Sequence, residues 1–137
     1  MTSKKSRRYS AIISIAILAL LSPLFVRSGL AQTPYYYYVS GTLAPGSPPH
    51  RYGPYGGGCI AIQVSLTWTP ADAWLFVGIS TSYDGPYDGA VATPSPCTWS
   101  FGGLDIHRGY FIAIYNPPEL NSRTITYSGW IICWRLI

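Results

Sequence analysis

The run Cys59-Ile60-Ala61-Ile62-Gln63-Val64-Ser65-Leu66-Thr67-Trp68 decides the fold. Ile60, Ile62, Val64, Leu66 and Trp68 point one way, while Ala61, Gln63, Ser65 and Thr67 point the other. That period of two marks a half-buried β-strand. The alternation returns at Cys97-Thr98-Trp99-Ser100-Phe101, which Gly102-Gly103 ends. Between these runs, Thr69-Pro70-Ala71-Asp72 makes a turn, residues 73–80 form a nearly continuous apolar strand, and residues 82–89 read as a loop. Residues 109–115 form a further strand, closed by Asn116-Pro117-Pro118. Residues 124–137 make one long strand, or two split at Gly129. Upstream, residues 35–43 are rich in β-formers and stop at Ala44-Pro45-Gly46. Six or seven short strands with frequent Gly and Pro, and almost no helical period after Gln32, define an all-β chain folded as a small antiparallel β-sandwich.

The chain divides into four stretches. Residues 1–31 read as a secretory signal peptide. Lys4, Lys5, Arg7 and Arg8 form a basic start, an apolar run follows over residues 11–21, and Gly29 and Ala31 stand at −3 and −1 of a cleavage site before Gln32. Counted to Val26 the apolar stretch is sixteen residues, short of the ~20 that cross a bilayer as a helix. A retained anchor is the rival reading. Residues 32–43 are an N-terminal strand, residues 44–58 a Gly/Pro-rich tether or loop, and residues 59–137 the sandwich body. Nine of the fifteen residues in 44–58 are Gly or Pro. So long an unstructured stretch usually marks a functional loop or a linker. It would let strand 32–43 pair within its own domain or add to a neighbour's sheet. The expected location is secreted, extracellular or at the cell surface, with no membrane span after cleavage.

Cleavage changes the electrostatics. The mature chain, residues 32–137, keeps four arginines (Arg51, Arg108, Arg123, Arg135) against five carboxylates (Asp72, Asp84, Asp88, Asp105, Glu119), a net −1, and it has no lysine. The pI near 9.1 therefore belongs to the precursor. A nucleic-acid partner needs a basic stripe to neutralise phosphates, and none is present. Ordinary domains carry about a quarter charged residues; this one replaces charge with Tyr, Ser, Thr, Pro and Gly. Such a surface costs little to desolvate against another protein.

Cys59, Cys97 and Cys133 all lie in the body, and in an oxidising compartment two of the three pair. Three pairings are open. A Cys59–Cys97 bridge, for example, would close a loop of about 38 residues, worth ~4 kcal/mol in loop entropy. The three lack the close spacing of a zinc site. Asp84-Gly85-Pro86-Tyr87-Asp88-Gly89 reads as two turns rather than a calcium loop, so neither metal nor cofactor is assigned. Catalysis would have to use His50 or His107. His107 stands with Asp105 in the solvated turn Asp105-Ile106-His107-Arg108, no Gly-x-Ser-x-Gly elbow occurs, and no catalytic residue is assigned.

Aromatic residues carry more. Tyr35, Tyr36, Tyr37 and Tyr38, with Val39, put rings on both faces of the first strand and make it the candidate interface strand. Tyr52, Tyr55, Tyr83 and Tyr87 fall in loops and are the candidate ligand-facing aromatics. The Trp residues on alternating strands read mostly as core.

Val64-Ser65-Leu66-Thr67-Trp68-Thr69-Pro70 and Ala73-Trp74-Leu75-Phe76-Val77-Gly78 bear a resemblance worth naming. Together with Tyr110-Phe111-Ile112-Ala113-Ile114-Tyr115-Asn116 and Ile125-Thr126-Tyr127-Ser128-Gly129, over about residues 59–132, the chain resembles secreted β-sandwiches grouped with bacterial pre-peptidase C-terminal and GOLD-like domains. The resemblance implies a jelly-roll-like, non-catalytic sandwich. The acidic calcium positions of some relatives are not matched here. The functional expectation is a non-catalytic extracellular structural subunit that associates with itself or with other extracellular proteins. The alternative is a monomeric module that binds a glycan or a surface through exposed Tyr and Trp.

Overall fold

A computed structural model describes residues 32–55 and 57–136; residues 1–31, expected to be a signal peptide, lie outside the described residues. Eight strands follow in order: β1 (Gln32–Leu43), β2 (His50–Tyr55), β3 (Cys59–Thr69), β4 (Leu75–Ser80), β5 (Asp88–Ala92), β6 (Cys97–Phe101), β7 (Tyr110–Tyr115) and β8 (Ile125–Leu136). They form two antiparallel sheets, β1-β8-β3-β6 and β2-β7-β4-β5. Strand one lies beside eight, two beside seven, three beside six and four beside five. The chain is thus folded double and then rolled, which is the jelly-roll form of the β-sandwich. The expected all-β sandwich is the fold.

Alternation builds the core. Ile62, Val64, Leu66 and Trp68 of β3 point inward, as do Val77 of β4 and Ile114 of β7. Trp68 and Trp99 stand 5.9 Å apart at the centre, and each indole N–H donates to a backbone carbonyl, of Ala73 and Ala90 respectively. Burying two indoles is favourable only because those donors are satisfied. At one end, fully buried Asn116 donates through Nδ2 to the carbonyls of Leu43 and Arg123 and accepts from Asn121 Nδ2, tying the β7–β8 loop to the end of β1.

Two strands were not legible. β2 lies inside the stretch 44–58 read as tether or loop, so that stretch is not a free tether. His50, Arg51 and Tyr52 pair with Ile114, Ala113 and Ile112, and the register shifts between Tyr52 and Tyr55. The Gly53-Pro54 pair at that bulge is tolerated because β2 is an edge strand. β5 begins in the last two residues of the 82–89 loop; Asp88-Gly89-Ala90-Val91-Ala92 is short and weakly β-forming. Its small residues answer a packing need. A side chain at Gly89 would collide with the Val77 carbonyl and the Gly78 backbone across the ladder. Residues 125–136 form one strand, with Gly129 inside it.

Of the three cysteine pairings, Cys59–Cys133 is the one formed, with Cα atoms 5.5 Å apart. It crosslinks neighbouring strands β3 and β8, and both residues are buried. Cys97, on β6, stands outside that bridge.

Candidate functional site

In β1 the odd-numbered residues from Tyr37 to Leu43 turn toward the core, and Tyr36 and Tyr38 turn away from it. In β8, Tyr127, Ile131 and Cys133 are buried, which puts Trp130 and Trp134 on the outer face. Register does the rest. Tyr38 is directly opposite Trp130, and Tyr36 is opposite Ile132. Tyr36, Tyr38 and Trp130 are 57%, 59% and 45% exposed, so three neighbouring rings face solvent on one sheet. Both tyrosines meet Trp130 edge to face, at 6.1 Å and 84° for Tyr36 and 5.3 Å and 71° for Tyr38. With Trp130 nearly perpendicular to both, the three rings make a ridged surface rather than one plane.

Next to this flank the face is neutral. Trp134 Nε1 donates to Gln63 Oε1 at 3.0 Å, and Thr98 Oγ1 donates to Ser65 Oγ at 3.1 Å. Alternation places no Lys, Arg, His, Asp or Glu on the outward side of β1, β8, β3 or β6. Arg135 lies at the end of β8, with its guanidinium 5.1 Å from the Tyr35 ring and Nη1 donating to the Gly57 carbonyl.

β1 is also an edge strand of its sheet. It pairs with β8 through twelve consecutive residues without a register shift. Natural edges are blunted by brevity, charge, proline or bulges. Residues 35–43 carry none of these. The other described edges do: β5 and β6 have five residues each, and β2 has a bulge and Pro54.

The candidate interface residues therefore stand where the sequence put them, on both faces of one strand. Tyr37 packs inward against Tyr55, 4.8 Å between centroids. The candidate ligand-facing set does not hold together. Tyr52 and Tyr55 both pack against the core, because β2 is a strand and the bulge between them resets its alternation. Tyr83 and Tyr87 lie at the outer face of the other sheet. Tyr83 contacts Phe111 and sits under the Arg51 guanidinium at 5.0 Å. Tyr87 lines a cleft of about 320 Å³ with Pro49, Phe76, Ala113 and Tyr115. Trp130 is the residue the sequence reading missed. Its signal was available in the alternation that puts Ile131 and Cys133 inside.

Inside the sandwich, His50 Nδ1 lies 2.6 Å and the Tyr52 hydroxyl 2.5 Å from the Tyr127 hydroxyl, joining β2 of one sheet to β8 of the other. Gly41 makes room for the cluster, since a Cβ there would stand 2.7 Å from the His50 ring. Burial first, then the hydrogen bond to Tyr52 and its charge, pushes the Tyr127 phenol well above its ordinary range. Burial, followed by Tyr37 and Tyr52, pushes Tyr55 up to about 12. A raised phenol pKa means the fold favours the neutral form. The linked stability is complete below the unfolded value of about 10 and is lost as pH rises from there toward the folded values. Tyr55 and Tyr127 are thus expected to ionise last, and only as the sheets part. Ultraviolet tyrosine titration followed beside circular dichroism checks this. Ionisation of every tyrosine with the fold intact would contradict a sealed cluster.

His107 and Asp105 form a surface turn. The Asp105 carboxylate accepts from the His107 backbone N–H at 2.9 Å and faces Arg108 at 3.6 Å. No helix among the described residues is long and apolar enough to cross a membrane.

No family model matches the chain, and no curated protein matches it. The resemblance to pre-peptidase C-terminal and GOLD-like domains reaches as far as the sandwich architecture. Among solved structures, the chain is similar to the disulfide-linked pili of Bacillus endospore appendages (TM-score 0.50, 8% identity, 79% of this chain and 90% of that one). It is also similar to a family two carbohydrate esterase from Cellvibrio japonicus (TM-score 0.44, 8% identity, 78% of this chain and 36% of that one). A third is Aeromonas hydrophila PliG, a periplasmic inhibitor of g-type lysozyme (TM-score 0.36, 10% identity, 79% and 90%). At 8% identity, the likeness to the pilus protein speaks for the fold.

Proposed function

We propose that this chain is a non-catalytic structural subunit, exported to the cell surface or beyond, that associates with protein through the β1–β8 aromatic flank. The observation that carries this reading is β1 itself, a long, uncharged, unbulged edge strand bearing exposed Tyr36 and Tyr38 beside Trp130. Aromatic rings at a charge-free patch are the residues that dominate protein interfaces. The similarly folded protein of the Bacillus endospore appendages, which form disulfide-linked pili, lends support. Export rests on the basic and apolar pattern of residues 1–31 and on a buried disulfide suited to an oxidising compartment.

Tyr38→Asp and Trp130→Asp test the reading. Both side chains are exposed, so the melting temperature should hold, while association should weaken roughly thirtyfold, the loss of a hot-spot residue worth about 2 kcal/mol. Sedimentation over a hundredfold concentration range, and capture with the exporting cell's surface proteins, measure it. Unchanged association in both variants would overturn the proposal. Deleting β1 is a poorer test, because it would uncover buried Val39 and Leu43 positions and the flank of β8 together.

A second reading keeps one observation in its favour. A contiguous row of exposed aromatics on a sheet face is what a glycan-binding module uses to stack sugars. If a soluble polysaccharide panel binds the native protein and not Trp130→Asp, while the protein stays monomeric, the glycan reading replaces the structural one.

A further inference from the structure

We infer that the partner of β1 is a second copy of the same strand, joined antiparallel about a two-fold axis at Tyr37. The inference rests on the assembly reading above and names its partner.

Length is the first argument. An exposed edge of twelve residues, in which only Pro34 lacks an N–H and residues 35–43 are free of proline and charge, is best satisfied by an edge of equal length. Of the described edges, β5 and β6 offer five residues each and β2 offers six with a break in register. Only β1 matches β1 among them. Charge is the second. A strand that meets itself about a two-fold brings like side chains close, so any charge near the axis would oppose its own copy. Residues 32–43 contain no charged side chain.

The pleat then sets the register. Residues opposite one another across an antiparallel pair must point to the same face, so a residue of odd number faces one of odd number. Two centres, Tyr37 and Tyr38, each align eleven residues of β1 with the second copy. The Tyr37 centre sets Tyr36 against Tyr38 of the second copy, twice, and Tyr37 against itself. The Tyr38 centre pairs Tyr38 with itself but leaves Tyr36 opposite Ser40. Cross-strand aromatic pairs stabilise an antiparallel ladder, which selects Tyr37. The outcome is a sheet of eight strands whose outer face carries four tyrosines flanked by two copies of Trp130. An isologous contact of this kind closes on itself, so assembly through β1 stops at two.

The test uses the exported protein in a Cys97→Ser background, with spin labels placed singly at Ser40→Cys and Thr42→Cys, both on the outer face. With 3.4 Å per residue, pairing about Tyr37 places the two Ser40 labels about 20 Å apart and the two Thr42 labels about 34 Å apart. Circular dichroism confirms that each labelled protein is folded. The expected result is a dimer by sedimentation with those two distances, the second longer by about 14 Å. Equal distances at the two sites would mean parallel pairing, and either that or growth into larger species overturns the closed dimer while leaving the assembly reading in place. A folded monomer that captures other surface proteins likewise overturns the inference alone. A folded monomer that captures none overturns both.

Discussion

Gly129→Ala is expected to prevent folding, at a cost above about 4 kcal/mol out of the 5–15 kcal/mol that holds a typical domain together. Gly129 stands in the middle of β8, with β1 on one side and β3 on the other. The β3 backbone comes so near that an added Cβ would overlap the Ser65 carbonyl oxygen and lie 2.9 Å from the Leu66 Cα. Backbone atoms in a central ladder cannot yield as the tip of a side chain can, so the methyl must push β3 and β8 apart. That separation would break the pairing through which both strands reach the core. Gly102→Ala is the control, since a Cβ there meets nothing within 4 Å. Chemical unfolding of the two variants should give a near-native midpoint for Gly102→Ala and no cooperative transition for Gly129→Ala. A folded Gly129→Ala protein with a midpoint close to native would show that the strands are more loosely packed than described.

Opening the Cys59–Cys133 bridge is the second large effect. The bridge spans a sequence separation of 74 residues, and loop entropy alone puts its contribution at about 4 kcal/mol. Cys133→Ser adds a hydroxyl at a fully buried position, which deepens the loss. Reduction of the native protein, or either Cys59→Ser or Cys133→Ser, should lower the urea midpoint severely, whereas Cys97→Ser should move it much less. A shift below about 1 kcal/mol on reduction would mean that the unfolded chain gains little freedom when the bridge opens.

The strands that became sandwich walls were readable because their alternation is strong. Ile62, Val64, Leu66 and Trp68 of β3, and Trp99 of β6, declare their inner face by period alone. Two strands hid behind their composition. His50–Tyr55 looks like turn material because Gly53 and Pro54 sit at its bulge, and Asp88–Ala92 because close sheet contact demands Gly89. Treating 44–58 as unstructured had a further cost. With no strand there, Tyr52 and Tyr55 looked like loop residues available to a ligand, whereas β2 and the bulge inside it turn both to the core. Trp130 was absorbed into the core by its size, although its neighbours Ile131 and Cys133 already claimed the inner face. The disulfide could not be read because it depends on β8 lying beside β3, a contact between strands far apart along the chain.

That same interleaving sets a clock on folding. β8 is inserted between β1 and β3, and β7 between β2 and β4. The first half of the chain, however long it has been available, has almost nothing to pair with until the second half arrives. Most contacts span long stretches of sequence, which places such a topology among the slow folders, in milliseconds to seconds. Cys133, too, reaches Cys59 only when β8 is in place. A chain of this design can close neither sheet until β7 and β8 are available, so its rigidity arrives late and all at once.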